Sequence, residues 1–190
     1  MVVAVPSMIY GIVTSVQCRS VRRETERMRH APAASAERQQ SFSGSVFGYA
    51  FGANVQGTES ACAAEHGSWQ FAGSVGECSL SDPSLPTRRL HFEFGALQRI
   101  VLVYRPDAER LKYTFDRVAG ALRLQHGAPD SADDFSAECA ESLAQCLLDG
   151  ERPGARRWRF SAGSVELNVV QNGEHAEIQV VYQRAEPASD

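Results

Sequence analysis

The chain has 190 residues, 43% of them apolar and 22% charged, which suits one domain or two small ones with a core that needs no staples. Its formal net charge is −4, unevenly placed: residues 1–44 hold six Arg and three Glu, a net +3, while residues 45–190 hold 13 basic and 20 acidic residues, a net −7. An acidic body argues against a nucleic-acid partner, which demands a basic face, and the single Lys beside 18 Arg reads as GC-rich codon usage.

The first 17 residues, MVVAVPSMIYGIVTSVQ, are uncharged and are followed by CRSVRRETERMRH. A secretory signal puts its positive charges before the apolar run. A membrane-crossing helix needs about 20 apolar residues, and Pro6 and Gly11 interrupt this one, so no stable membrane span is expected. The SVQ before Cys18 matches a lipoprotein cleavage site poorly. The small residues APAASA (31–36) suit a peptidase but lie well beyond the apolar run. A degenerate export signal or a misplaced start codon would account for this order. Residues 19–44 are polar and aperiodic, so the stretch 1–44 is expected as a disordered or export-related tail.

Regularity begins at Ser45. FGYAFG (47–52) alternates large and small residues and reads as a short strand. NVQGTESACAAEHG (54–67) reads as a helix with Asn54 or Thr58 as its cap and Gly67 at its C-terminal end. SWQFAG, RRLHFEFG and QRIVLVYRP then read as three strands, with Asp82-Pro83 and Pro86 placing a loop before the second. Asp107, just after Pro106, is the expected cap of a second helix. In it Leu111, Phe115, Val118 and Leu122 form one apolar stripe. That helix ends in QHG, as the first ends in EHG, and RRWRFSAG, SVELNVVQNG and HAEIQVVYQR follow as three more strands.

Two stretches share a pattern: GALQRIVLVY (Gly95 to Tyr104) and GEHAEIQVVY (Gly173 to Tyr182) each place Ile five residues and Tyr nine residues after Gly. Trp69 with Phe71 matches Trp158 with Phe160, and AGSV follows both. The expected class is therefore α+β: two tandem α-β-β-β units, residues 45–106 and 107–184, forming antiparallel sheet with the helices packed on one face. The second unit carries a long insertion at 128–155, and 185–190 form a tail. Alone, each unit buries too little surface, so the two must pool their cores. This order of elements resembles the β-lactamase-inhibitor-like modules. The helix ending LRLQHGAP is similar to the helix–Gly–x–Pro pattern of small envelope lipoproteins of the outer-membrane assembly family. The resemblance covers about residues 47–184 and implies the architecture alone; no functional residue carries over.

Four of the five cysteines lie in the regular part: Cys62, Cys78, Cys139 and Cys146. Cys62 is near the end of the first helix and Cys78 just past the strand that follows it, so a bridge between them would tie helix to sheet. Seven helical residues span about 10.5 Å, and disulfide partners need Cα atoms within about 7 Å. Either Cys139 and Cys146 do not lie on one regular helix, or they do not pair with each other. The expectation adopted is a disulfide-bonded loop, hence an oxidising compartment such as periplasm, envelope or exterior; free thiols would point to the cytoplasm. No standard zinc spacing exists, and no metal or cofactor is expected. The chain has no phosphate loop, GxGxxG, HExxH or GxSxG, and the acidic DSADD (130–134) lacks the calcium-loop pattern. His66 and His126, each before a helix-ending Gly, read as structural; Trp69 and Trp158 read as core anchors. Arg156, Arg157 and Arg159 are the candidate partner surface, with the 128–155 excursion the first choice of binding loop and 76–87 the second.

These features lead to a non-enzymatic, exported or envelope-associated module that binds or inhibits another protein. Two other classes stay open: a small thiol-dependent or hydrolytic enzyme, which needs a reduced cysteine near a histidine, and a cytoplasmic accessory protein with all thiols free.

Overall fold

In the computed structural model, residues 44–136, 139, 146, 147, 154–173 and 175–185 are described. The apolar N-terminal run, Cys18, most of 137–153 and the final tail lie outside them. The elements in chain order are β1 (Ser45–Val46), β2 (Tyr49–Ala50), α1 (Val55–Ala64), β3 (Ser68–Ala72), β4 (Val75–Ser79), β5 (Thr87–Glu93) and β6 (Ala96–Tyr104). A short 3-10 turn (Ala108–Arg110) then leads into α2 (Leu111–His126), β7 (Ser131–Ala132), β8 (Arg156–Phe160), β9 (Gly163–Asn172) and β10 (His175–Arg184).

β1 and β2 form a small hairpin. The other strands form one antiparallel sheet of eight, in the order β3-β4-β5-β6-β10-β9-β8-β7. Hairpin neighbours pair with each other on each side, and the seam between the two sides is β6 against β10. Its register sets Ile100 opposite Tyr182, Leu102 opposite Val180, and Tyr104 opposite Ile178.

Strand alternation separates two faces. Arg88, Leu90, Ile100, Leu102, Ile178, Val180, Tyr182, Val165, Leu167 and Trp158 share one face by register. All ten are buried. Cys62 of α1 and Leu111, Phe115, Val118 and Leu122 of α2 belong to the same core cluster, so both helices cover that face. Ile100 and Ile178 are fully buried in adjacent strands. Their like environments are what a shared core requires. The bulge between His91 and Phe92 keeps Phe92 on the core side, opposite Leu97.

α1 begins as its sequence requires: Asn54 is extended, and its side chain accepts from the Gly57 amide at 2.8 Å. Its other end differs from expectation. The left-handed residue is His66 (φ 58), not Gly67. Gly67 is needed for space, since a Cβ there would sit 2.6 Å from Cys78 Sγ and 2.7 Å from Cys62 Sγ. The Cys62–Cys78 bridge, with Cα atoms 5.9 Å apart, ties α1 to β4. α2 keeps its stripe: Leu111, Phe115, Val118 and Leu122 are all buried. Asp107 caps only the 3-10 turn, and without a side-chain hydrogen bond.

Two readings of the strands need correction. FGYAFG is not one strand: the chain reverses at Phe47-Gly48 between Val46 and Tyr49. VGECS (75–79), expected to begin a loop, is β4. Gly76 made it look irregular, but that glycine has a packing reason, because a Cβ there would lie 2.0 Å from the Trp69 indole. Four strands therefore follow α1. Trp69 lies on edge strand β3 and is only half-buried, whereas Trp158 lies one strand in from the opposite edge and is buried. The two tryptophans do not occupy matching strands.

Replacing Cys62 and Cys78 together with Ala should lower the unfolding free energy by about 3 kcal/mol, the loop-closure contribution of a bridge of this span. Urea titration checks this, and unchanged stability in the double variant would contradict it.

Candidate partner-binding site

The face opposite the helices is the second surface of the sheet. Along β6 and β10 it carries Arg99, Val101, Val103, Glu177, Gln179, Val181 and Gln183, with Arg89 and His91 on β5 and Glu166 and Asn168 on β9. None of the described helices packs on it. Near the β9–β10 turn, at one end of the seam, lies Glu177, whose side chain is 2% exposed. Arg89 donates through both terminal nitrogens to the two Glu177 oxygens, at 3.2 Å each. Arg105 Nε, Asn172 Nδ2 and Gln179 Nε2 each donate at 3.0 Å. Burial alone would raise this carboxyl; the hydrogen bonds from Asn172, Gln179, Arg89 and Arg105 outweigh it and pull it down to about 2. Arg89 also reaches Glu77 at 3.3 Å, and Arg99 Nε donates to Gln183 Oε1. Burial first, then Arg99 and Arg89, hold His91 below its ordinary value. This face therefore carries a polar network at the Glu177 end, joining β4, β5, β9, β10 and Arg105, and a separate Arg99–Gln183 pair toward the other end.

At one end of the sheet, β5 turns into β6 through Phe94-Gly95. Both residues have positive φ, 52° and 78°, between the paired Glu93 and Ala96. This is a type I′ turn, whose first central position favours Asn, Asp or Gly. A left-handed phenylalanine costs roughly 1–2 kcal/mol. The β1–β2 turn has the same geometry, Phe47 at φ 50° and Gly48 at 79°. There the ring has partners: Phe47 meets Tyr182 edge-on at 6.4 Å, and the Arg88 guanidinium lies 5.8 Å from its centroid. Arg88, 6% exposed, also pairs with Glu65, which accepts from the Tyr49 hydroxyl at 3.1 Å. Phe94 has a relative exposure of 106%, and no ring contact is found for it among the described residues. Sequence reading missed it by extending the strand through FEFG. The Gly in second place was the available turn signal, hidden because an aromatic precedes it.

The arginine cluster divides. Strand alternation sends Arg157 and Arg159 to the open face and Arg156 to the helix side. Arg157 pairs with Glu166 at 3.0 Å, and Arg159 is exposed. Arg156 donates to the carbonyls of Asp133 and Ala155 and to Asp134 Oδ1, with its guanidinium 5.7 Å from the Phe115 centroid. The three therefore do not converge on one anion.

Arg156 instead helps enclose a cavity of about 380 Å³ between α2, β8 and the start of the excursion, lined also by Phe115, Gly120, Arg123, Asp116 and Trp158. The Trp158 indole donates to the Gly127 carbonyl at 3.0 Å, and the Arg159 amide to Asp130 at 2.6 Å. These bonds pin the start of the excursion to β8. His126 is buried among the rings of Trp158, Phe160 and Tyr182, and burial depresses its pKa. Neither of its ring nitrogens has a hydrogen-bond partner among the described residues. A neutral imidazole caged by aromatics fits its reading as a structural residue.

Cys139 and Cys146 also lie at bonding distance, with Cα atoms 5.4 Å apart, half of what one continuous helix would set. The Ser136 hydroxyl accepts from the Cys139 amide at 3.1 Å. Two paired cysteines on each side of the chain are compatible with an oxidising compartment. Among the described residues, no group of three or more His, Cys, Asp or Glu could hold a metal ion. No described helix is long and apolar enough to cross a membrane. No known family, curated protein or solved structure matches the chain.

Because the folded Glu177 carboxyl is depressed to about 2, its contribution is present above the unfolded pKa near 4.5 and is lost as pH falls toward 2. Unfolding free energy should decline over that window by up to about 3 kcal/mol. In Glu177→Gln this part of the decline should vanish, with lower stability at pH 7 because two arginines lose their counter-charge. Urea titrations at pH 7 and pH 3 on both proteins provide the check.

Proposed function

We propose that the chain is a non-enzymatic, exported or envelope-associated module that binds another protein, built as two tandem helix-plus-meander units sharing one sheet. Support for the doubling comes from the seam. Gly95 and Gly173, Ile100 and Ile178, Leu102 and Val180, and Tyr104 and Tyr182 are each 78 positions apart. The β6–β10 register relates these residues by a local two-fold, with Leu102 and Val180 opposite each other at its centre. The four-strand blocks on either side, β3–β6 and β7–β10, follow in mirrored order.

The binding reading rests on Phe94. A large aromatic held in left-handed backbone at a hairpin tip, fully in solvent and with no ring contact among the described residues, has a cost that no described contact repays. Aromatic residues are enriched at protein interfaces, and an aromatic anchor that becomes buried in a partner's pocket can dominate binding. In this reading Phe94 enters an apolar pocket of the partner, and His91, Arg99 and Gln183, a row near this tip on the face opposite the helices, flank the contact. Against the thiol-enzyme alternative stands the pairing of all four described cysteines in two bridges.

Phe94→Asn puts a residue suited to the turn at this position. It should raise the unfolding free energy by about 0.5–1 kcal/mol while weakening partner binding by 2 kcal/mol or more, roughly thirtyfold. The experiment is parallel affinity capture from exported proteins of the source organism, followed by titration of whatever the wild type retains. A captured protein bound equally by Phe94→Asn would overturn the role of the tip. For the compartment, thiol titration of the unreduced denatured chain should find four of the five cysteines protected; five reactive thiols would refute export.

A further inference from the structure

The two ends of the sheet are unlike. On one side the edge strand is β7, only two residues long, with Pro129 and Asp130 before it and Asp133 and Asp134 after it. Shortness, proline and charge are the usual protections of a sheet edge. On the other side the edge strand is β3, SWQFA: five residues with no charge, no proline and a regular register against β4. Ser68, Gln70, Phe71 and Ala72 are all exposed. No strand pairs with the outer side of β3 among the described residues.

We infer that β3 is a homotypic pairing edge: two copies of this chain associate through antiparallel β3–β3 pairing, joining their sheets. The hydrogen-bond pattern sets the register. The two-residue turn Gly73-Ser74, with Gly73 at φ 63°, closes on the pair Ala72–Val75. Alternation along the ladder then turns the amides and carbonyls of Trp69 and Phe71 outward. A two-fold axis at Gln70 puts Trp69 of each copy opposite Phe71 of the other, so both outward groups on each strand find partners at once. It also forms two cross-strand aromatic pairs on one face. Each copy already presents the platform, since Trp69 and Phe71 stack with 10° between their planes and Phe71 is 44% exposed.

A second copy suits this edge better than an arbitrary extended peptide for two reasons. An uncharged strand meets no repulsion from itself, although the chain as a whole is acidic. The Trp-x-Phe spacing is also self-complementary only about Gln70. A five-residue seam lies at the small end of specific interfaces, so the dimer is weak and concentration-dependent.

Sedimentation velocity of the full chain over about a hundredfold concentration range reads this by mass action. The wild type should shift from monomer to dimer. Gln70→Lys, at an exposed site, should move that transition to at least about tenfold higher concentration by setting like charges opposite each other. Gln70→Glu alone should do the same, and an equimolar mixture of the two variants should restore dimer. A wild type that stays monomeric throughout would overturn the inference. So would a dimer that neither variant weakens, or single-variant losses that mixing does not repair.

Discussion

Everything in this fold depends on the pairing of β6 with β10. Most other pairings within the sheet join strands that follow each other closely in sequence; β7 with β8, across residues 133–155, is the exception. The seam alone connects the first half of the chain to the second, and it does so with the most apolar strands available. On the helix side it presents Ile100, Leu102, Ile178, Val180 and Tyr182, all buried. Remove that register and each half keeps a sheet of four strands with one helix and an uncovered apolar edge, a piece small enough to be marginal on its own.

The same seam is braced from its other face by an unlike interaction. Glu177 sits on β10 and takes arginine donors from β5 and from just beyond β6, so its carboxylate bridges the junction from the polar side. A buried carboxylate with five donors tolerates little displacement of any of them. Apolar packing below and a saturated ion cluster above fix the relative position of the two halves more tightly than either would alone. The open face is thereby a rigid surface, in contrast to the hairpin tip that projects from its end.

Much of this was legible in the sequence where periodicity is strong. The α2 stripe, the strands around Ile100 and Ile178 and the α+β class all follow from spacing alone; a Cys62–Cys78 bridge was one option the spacing allowed, with Cys78 expected in a loop and not in a strand. Strand β4 was not legible, because Gly76 is there to admit the Trp69 ring and a local reading cannot see a cross-strand neighbour. The match of Trp69 to Trp158 misled for a related reason: both precede a tight turn, but the turns belong to different positions in the sheet. The arginine cluster looked like one site because one-dimensional proximity ignores that alternate residues leave opposite faces of a strand. Phe94 was hidden by a turn that takes an unfavoured residue, and Glu177 by the absence of any local sign that its arginine partners lie about 70 to 90 positions away. For β4 and Glu177 what was missing is a neighbour distant from the local pattern; for Phe94 and the arginines the signal was local and was overlooked.

The seam also bears on how the chain reaches this state. Its central contact, Leu102 with Val180, links residues 78 positions apart, whereas β3–β4, β5–β6, β8–β9 and β9–β10 close across turns of two residues. Closing so long a segment loses entropy before any packing is gained. Assembly is therefore expected to proceed from two quickly formed but unstable half-sheets to a slow docking step. Between those stages the greasy flanks of β6 and β10 stand uncovered, which is the interval in which such a chain is most exposed to aggregation.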